Sequence, residues 1–229
     1  MPELFLEIGT EEIPSRFMGL ALDYLKNEMS VFFEKNRIQA DDGRVMGTPR
    51  RLVVSFDRVD AQQKDVVETH FGPNVKVAFD GEGSPTNAAL GFARGKGIDV
   101  SQLTVEKTPK GEVVCARVEK TGQPTADILN SFLPDLIGNI PFPKKMRWGN
   151  RKTSFVRPLH WIAALFENKP LNFNYEGISC ADVSHGHRFL SSESFKVNGV
   201  TSYLDSCEKH FLLVDPVARK QAIVDQITL

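Results

Sequence analysis

An alternating strand pattern followed directly by a long helical pattern is the feature that most constrains the fold of this chain. From Glu3 to Ile8, apolar and polar residues alternate, as in a strand with one buried face. After Gly9, apolar residues recur at helical spacing from about Ser15, a possible N-cap, to about Arg37. A strand and a helix that each bury one face pack as layers. The sequence therefore predicts an α+β fold that opens with a strand-to-helix unit.

The rest of the chain continues this alternation of strands and helices. Strands are predicted at 51–59, 66–71, 103–108, 112–120, 161–166 and 171–175, with 103–108 and 112–120 as one hairpin and the last two as a second. Helices are predicted from a Ser84 cap to Gly95 or Gly97, and at 125–140, 200–212 and 216–229. We expect mixed, mostly antiparallel sheets with packed helices in two subdomains, residues 1–122 and 123–229. The last helix has no stop signal, which suggests a piece of a longer chain.

Composition limits the classes of protein that fit. The chain is 41% hydrophobic and 25% charged with a net charge of −1, which argues against a protein that coats nucleic acid over its whole surface. Cys115, Cys180 and Cys207 are odd in number and widely spaced, so they predict neither a disulfide framework nor a CxxC metal site. No signal peptide and no apolar run of about 18 residues is found. We therefore expect a soluble cytoplasmic protein.

Positive charge is concentrated in one stretch, Pro141–Phe166, which we call the basic segment. It holds six of the 28 basic residues, none of the 29 acidic ones and both tryptophans. Basic residues interleaved with aromatics are suited to phosphates and unpaired bases. The predicted nucleic-acid-binding residues are Lys144, Lys145, Arg147, Trp148, Arg151, Lys152 and Arg157.

Structural interpretations stay open beside this one. Phe142, Phe155 and Trp161 suit the core equally well, because large rings are mostly buried. Arg50 and Arg51 open a predicted strand, where neighbouring side chains point to opposite faces, so one of the two arginines is expected to be structural.

Acidic and histidine residues at two places are candidates for catalysis or metal binding. Glu7, Glu11 and Glu12 lie near the first strand-to-helix corner, where carboxylates transfer protons or, alternatively, complement the positive end of a helix. His185 and His187 face one side of an extended chain, but no third metal ligand is evident. We expect hydrogen-bonding roles for them, and predict no catalytic and no metal-binding residue.

Six motifs in order carry a resemblance to a known family. They are EIGTEEIP (7–14), TPRRL (48–52), SPTNAALGFARGKGI (84–98), PKKMRWG (143–149), FVRPLHWI (155–162) and SHGHRFL (184–190). Together they closely resemble the beta subunit of the two-subunit bacterial glycyl-tRNA synthetase, over essentially the whole chain. The resemblance implies an ATP-dependent ligase that joins glycine to its tRNA as an alpha2beta2 assembly in the cytoplasm.

The same resemblance implies how the work is divided. The alpha subunit of that family is understood to hold the glycyl-adenylate site, so ATP and Mg²⁺ are used by the whole enzyme and neither is bound by this part. The beta subunit resembles a tRNA-handling partner, similar in kind to beta-subunit domains of the phenylalanyl enzyme. The family's HD-type helical domain and anticodon-binding domain are absent from this sequence, which matches the amino-terminal part.

Three roles follow as hypotheses. The favoured one is tRNA positioning by the basic segment, with chemistry in the alpha subunit. The second is a scaffold in which the basic segment meets an acidic face of the alpha subunit. The third is an editing hydrolase that uses Glu7, Glu11, Glu12, His185 and His187. It ranks last, because larger amino acids are readily excluded from a glycine site by size.

Overall fold

The computed structural model describes residues 1–109, 111–149 and 153–228, and it divides into two compact units. The larger unit comprises residues 1–63 and 123–229, and the smaller unit comprises residues 64–122. The predicted α+β class is confirmed, since both units combine helices with mixed or antiparallel sheets.

The strands of the described residues, in chain order, are β1 (Leu4–Thr10), β2 (Arg44–Thr48), β3 (Arg51–Phe56), β4 (Val66–Asn74), β5 (Thr104–Thr108), β6 (Gly111–Lys120), β7 (Leu159–Phe166), β8 (Lys169–Pro170), β9 (Asn174–Tyr175), β10 (Ile178–Ala181), β11 (Val183–His185) and β12 (Ser194–Lys196). Their α-helices are α1 (Ser15–Lys35), α2 (Val75–Ala78), α3 (Asn87–Lys96), α4 (Thr125–Gly138), α5 (Val200–Lys209) and α6 (Pro216–Ile227). A 3₁₀ turn spans Val100–Gln102.

β1 lies at the centre of the main sheet of the larger unit. The strand order is β2-β3-β1-β7-β10-β9, with β8 also paired to β7. β1 runs antiparallel to both β3 and β7, whereas β10 runs parallel to β7. All seven residues of β1 are buried, which differs from the half-buried strand that the sequence predicts.

Helices on both faces of the sheet account for that difference. Leu4, Leu6 and Ile8 belong to a core shared with the apolar stripes of α1 and α4, where Phe32 stacks on Phe132 at 3.9 Å between ring centroids. Because side chains of a strand alternate, Phe5 points to the opposite face and joins a second core built with α5. The polar residue of that second face, Glu7, is consequently buried as well.

The smaller unit is a three-stranded antiparallel sheet with short helices. Its strand order is β4-β6-β5, and the predicted hairpin of β5 and β6 is confirmed. A small core of Ala78, Ala89 and Val114 joins α2 and α3 to the sheet. α3 ends at Gly97, whose left-handed conformation (φ 71°) provides the expected glycine C-cap.

The predicted boundary at residue 122 coincides with the end of the smaller unit, but residues 1–63 group with 123–229 and not with 64–122. Hydrogen bonds between β1 and β7 join the segments before and after the smaller unit in one sheet, so the smaller unit is an insertion between residues 63 and 123. Local sequence patterns do not indicate this insertion, because a strand pairing that spans more than 150 residues leaves no local signal.

Local details also differ from the sequence-based expectations. The N-cap position of α1 is Pro14 and not Ser15, without a side-chain capping hydrogen bond, and α3 is capped by Thr86 and not by Ser84. β7 forms a hairpin with β8, and the Leu171 N–H continues it by donating to the Ala164 carbonyl at 2.9 Å, whereas β9 pairs with β10. No helix among the described residues is both long and apolar enough to cross a membrane.

Gly9 provides a test of the packing around β1. A Cβ atom at this position would lie 2.0 Å from the ring of Trp161, so Gly9→Ala is expected to lower the free energy of unfolding by about 1–3 kcal/mol or more. Gly19→Ala is the matched control, since nothing lies within 4 Å of its Cβ and it sits within α1. It is expected to stabilise by about 0.5–1 kcal/mol. Urea unfolding measures both, and equal stability of the two variants would contradict this packing.

Candidate functional site

Four side chains from distant parts of the sequence form what we call the buried network: Glu7, Arg51, Trp161 and Tyr203. Glu7 Oε1 accepts hydrogen bonds from Arg51 Nε and from the Tyr203 hydroxyl, each at 3.0 Å. Glu7 Oε2 accepts one from Trp161 Nε1 at 3.1 Å. None of the four residues is more than 8% exposed. The buried carboxylate thus has an opposite charge and two neutral donors, as a buried charge requires.

The strand register explains why these residues meet. Gly9 lies opposite Arg51 on β3 and opposite Trp161 on β7, two positions along the same face from Glu7. Because Gly9 has no side chain, the ring of Trp161 fills the space above it. Trp161 and Arg51 are therefore held beside the carboxylate, with the guanidinium 5.2 Å from the centre of the Trp161 ring.

Arg51 also fixes the loop that follows β11. Its Nη2 donates hydrogen bonds to the carbonyl oxygens of His185 and Gly186, the second at 3.2 Å. The ring of His185 packs edge-on against Trp161 at 4.8 Å between centroids. Gly186 is required here, since a Cβ would lie 2.4 Å from the carbonyl oxygen of Ser191.

The electrostatics of the network are those of a closed structural site. Burial, together with the negative charge of Glu7, raises the pKa of the Tyr203 phenol well above its ordinary value. Burial raises the pKa of the nearby Cys207 thiol to about 12. Since Glu7 is 0% exposed, a substrate has no access to its carboxylate. Glu7 thus serves the fold, and its role as a catalytic candidate has no support.

A second group of charges, the surface cluster of Glu11, Arg50, His160 and Arg188, lies at the rim of the same sheet. Glu11 Oε1 is 2.8 Å from His160 Nε2, and Glu11 Oε2 accepts a hydrogen bond from Arg188 Nη1 at 3.1 Å. Arg50 Nη2 lies 3.9 Å from Glu11 Oε1, and its Nε donates to the Thr10 carbonyl. The prediction that one of Arg50 and Arg51 is structural is confirmed: Arg51 is buried, while Arg50 lies in the β2–β3 turn.

The cluster holds Glu11 in its ionised form. Partial desolvation acts to raise the pKa of Glu11, but the hydrogen bond from His160 and the positive charges of Arg50 and Arg188 outweigh it and lower the pKa below 4.5. Glu12 is within 3.5 Å of Arg188. Glu11 and Glu12 thus pair with cations of the sheet rim, and neither lies in the first turn of α1.

The basic segment presents its cations to solvent. Lys144, Lys145 and Arg147 are exposed, and among the described residues none of them forms an ion pair with a carboxylate. Lys145 Nζ donates to the carbonyl of Gly138 at 3.2 Å, and partial burial lowers its pKa. The predicted contacts Arg151 and Lys152 lie outside the described residues. Positive charge at this surface is therefore not neutralised by the described part of the chain.

A backbone pairing joins the basic segment to the surface cluster. Met146 and Phe155 exchange two backbone hydrogen bonds, at 2.7 and 3.0 Å. The loop that carries Lys144 and Lys145 is thereby paired with the stretch that leads to Arg157. Arg157 Nε in turn donates to the carbonyl of Glu12 at 3.0 Å, and Glu12 also contacts Arg188. The predicted site residue Arg157 thus links the two groups of charges.

The aromatic residues of the segment are mainly structural. Phe142 and Phe155 are buried and pack edge-to-face at 5.0 Å between centroids, and Trp161 belongs to the buried network. Trp148 is half-buried and packs against the main core. The interpretation of these rings as core residues is confirmed for the three buried ones, and Trp148 is placed to brace the loop.

His185 and His187 do not converge on a common point. Burial of its ring, together with the nearby charges of Arg51 and Arg50, lowers the pKa of His185 and favours the neutral imidazole. His187 Nδ1 accepts hydrogen bonds from the backbone N–H groups of Phe189 and Leu190. Over the ranges that the structure describes, no group of three or more His, Cys, Asp or Glu residues is arranged to hold a metal ion.

Two of the residues in these sites have no local sequence signal. Tyr203 reads as an ordinary position of a helical stripe, and His160 as part of an apolar strand. The only signal for the buried network is a glycine and a glutamate on one face of a strand that is otherwise apolar.

Comparison with known proteins places the chain in context. The family model for the glycyl-tRNA synthetase beta subunit matches residues 4–229. The glycine–tRNA ligase beta subunits of Geobacter metallireducens and Citrifermentans bemidjiense are each 45% identical to it over 227 and 225 residues. That of Geotalea uraniireducens is 44% identical over 225 residues. These matches cover 98–99% of the chain, which spans about a third (33%) of the length of each relative.

Removing one donor tests the buried network. Tyr203→Phe deletes the hydroxyl that donates to Glu7 and is expected to destabilise by about 1.5–3 kcal/mol, as for a hydrogen bond to a charged group. In Tyr24→Phe the lost hydroxyl has no hydrogen bond among the described residues, so we expect little change. Urea unfolding of both variants measures the difference, and a neutral Tyr203→Phe would argue against the network.

The surface cluster predicts a dependence of stability on pH. Because the pKa of Glu11 is lowered in the folded state, its contribution is fully present above pH 4.5 and is lost as the pH falls through the folded-state pKa. Glu11→Gln is therefore expected to destabilise the protein at neutral pH, by an amount that shrinks as the pH falls below 4.5. Glu34→Gln, at an exposed position of α1 with no ion pair among the described residues, serves as the control. Thermal unfolding at a series of pH values measures both, and a pH-independent effect of Glu11→Gln would exclude the charge pairing.

Proposed function

The chain belongs to the glycyl-tRNA synthetase beta-subunit family, and we propose that it positions tRNA within a glycine–tRNA ligase whose chemistry lies in an alpha subunit. The observation that carries this proposal is the exposed cationic surface of Lys144, Lys145 and Arg147, which has no carboxylate partner among the described residues. On a chain with net charge −1, such a surface attracts a local polyanion.

The contacts in this proposal are to the RNA backbone. Lys144, Lys145 and Arg147 sit on a loop, where ammonium and guanidinium groups reach phosphate oxygens without reading a base. Arg157 is oriented by its hydrogen bonds to the carbonyls of Glu12 and Val156, so its guanidinium position is set before RNA arrives. Phosphate contacts of this kind fix the register and orientation of the tRNA and leave its identity to be read elsewhere.

The wider setting is part of the same proposal. The complete enzyme attaches glycine to tRNA with ATP and Mg²⁺ at the alpha subunit, works as an alpha2beta2 assembly, and is cytoplasmic. The described residues support a non-catalytic role for this part, because Glu7 is sealed by the buried network and Glu11 is paired with Arg50, Arg188 and His160.

Charge reversal in the basic segment tests the proposal. The double variant Lys144→Glu, Lys145→Glu is expected to weaken binding of tRNA(Gly) and to reduce the slope of log affinity against log salt by about 2, because two phosphate contacts are lost. Thermal unfolding is expected to stay nearly unchanged, since both lysines are exposed. Fluorescence anisotropy at several salt concentrations measures the slope.

A matched control separates local from overall charge. Lys35→Glu, Lys169→Glu changes the net charge equally at exposed positions outside the basic segment, and we expect a much smaller loss of tRNA affinity. Unaltered tRNA binding by the Lys144, Lys145 variant would discard the proposal. If that variant instead fails to co-purify with the alpha subunit while tRNA binding is kept, the basic segment is an interface between subunits.

A further inference from the structure

A large cavity opens beside the surface cluster in the larger unit. Its volume is about 930 Å³, within the range of pockets that hold small molecules. Its apolar lining comes from Met18 and Leu22 of α1 and from Pro216 at the start of α6. Arg51 of the buried network is one of the lining residues, whereas no described residue of the basic segment lines the cavity.

Two phenylalanine rings stand at the cavity with their faces in solvent. Phe189 is 82% exposed and Phe211 is 60% exposed, which is unusual for large apolar rings. Both are held by the backbone: the N–H of Phe189 donates to His187 Nδ1, and Phe211 has a left-handed conformation (φ 63°). The guanidinium of Arg188 lies 5.6 Å from the centre of the Phe189 ring. The backbone that carries the two exposed rings is thus defined by contacts within the chain.

The charges that line the cavity are mainly positive. Arg50, Arg188 and Arg219 contribute guanidinium groups, and Glu12 is the one carboxylate in the lining. Arg188 and Arg50 are partly neutralised by Glu11, whereas Arg219 donates only to the carbonyls of Gly47 and Leu213 and has no carboxylate partner among the described residues. An occupant that satisfies this lining has a flat apolar surface and a negative charge.

We propose that this cavity receives one unpaired nucleotide of a single-stranded RNA segment, with the base stacked on Phe189 or Phe211 and its phosphate at Arg219. The inference rests on the tRNA-positioning function proposed above and names a second contact for the same ligand. Aromatic rings that stack on bases, together with arginines that contact phosphates, are the usual means of holding single-stranded nucleic acid.

The path of charges from the basic segment favours RNA over an apolar peptide. Arg157, two residues beyond the Met146–Phe155 pairing, contacts the backbone of Glu12, and Glu12 itself lines the cavity. An RNA strand whose phosphates contact Lys144, Lys145 and Arg157 therefore reaches Glu12, at the edge of the cavity. An apolar peptide lacks the regularly spaced negative charges that would pair with these cations.

Substitution of the two exposed rings tests the proposal. The probe is a fluorescein-labelled, unstructured RNA hexanucleotide of mixed sequence, and its affinity for the chain is measured by anisotropy. Phe189→Ala, Phe211→Ala is expected to weaken binding about 5-fold to 100-fold, the loss that corresponds to one base–aromatic stack. Phe189→Tyr, Phe211→Tyr keeps the ring faces and is expected to restore binding. Phe71→Ala removes an equally exposed ring (59%) from the smaller unit and is expected to have no effect.

The outcomes separate this inference from the proposed function. If the alanine variant binds the hexanucleotide like the parent chain while Lys144→Glu, Lys145→Glu loses affinity, the cavity proposal is overturned and tRNA positioning stands. If neither variant loses affinity, both proposals fail. If the cavity binds an acidic apolar peptide while the alanine variant binds RNA like the parent chain, the inference is overturned as well. Loss in the alanine variant with recovery in the tyrosine variant supports it.

Discussion

The ion pair between Glu7 and Arg51 is the interaction on which the rest of the structure depends. Both residues are almost fully buried, at 0% and 2% exposure, so each charge must be satisfied inside the protein. Trp161 and Tyr203 donate hydrogen bonds to the carboxylate of Glu7, and the carbonyls of His185 and Gly186 accept hydrogen bonds from the guanidinium of Arg51. A buried pair adds little net stability compared with apolar packing, but loss of one partner costs about 3–5 kcal/mol. The pair therefore specifies one arrangement of the five segments that meet there, namely β1, β3, β7, α5 and the end of β11.

This arrangement positions the surface on which the proposed RNA contacts lie. Arg51 fixes the loop at 185–190, and the same loop carries the exposed Arg188 and Phe189. A hydrogen bond from Arg157 to the Glu12 carbonyl connects this surface to the basic segment. Charges that bind an RNA backbone work best on a rigid support, because little entropy is lost when the ligand arrives. The buried and exposed charges thus have different tasks.

The sequence predicts the positions of the helices and strands better than the long-range contacts between them. The apolar stripes of α1 and α4 follow the helical period, so their positions were predicted to within a few residues. The sequence predicts a first strand with only one buried face and does not show that Glu7 is buried, because its partners Arg51 and Tyr203 lie 44 and 196 residues away. The insertion at 64–122 was missed for the same reason, since β1 and β7 pair across it. The cationic surface was visible in the sequence because charge clustering is local.

The central claim is that tRNA rests on the exposed cations of the basic segment, and lysine footprinting tests it most directly. An amine-reactive reagent is applied to the chain with and without saturating tRNA(Gly), and modification is read residue by residue by mass spectrometry. We predict that tRNA protects Lys144 and Lys145, whereas Lys35 and Lys169, exposed elsewhere in the larger unit, stay reactive. Full reactivity of Lys144 and Lys145 in the saturated complex would contradict the account.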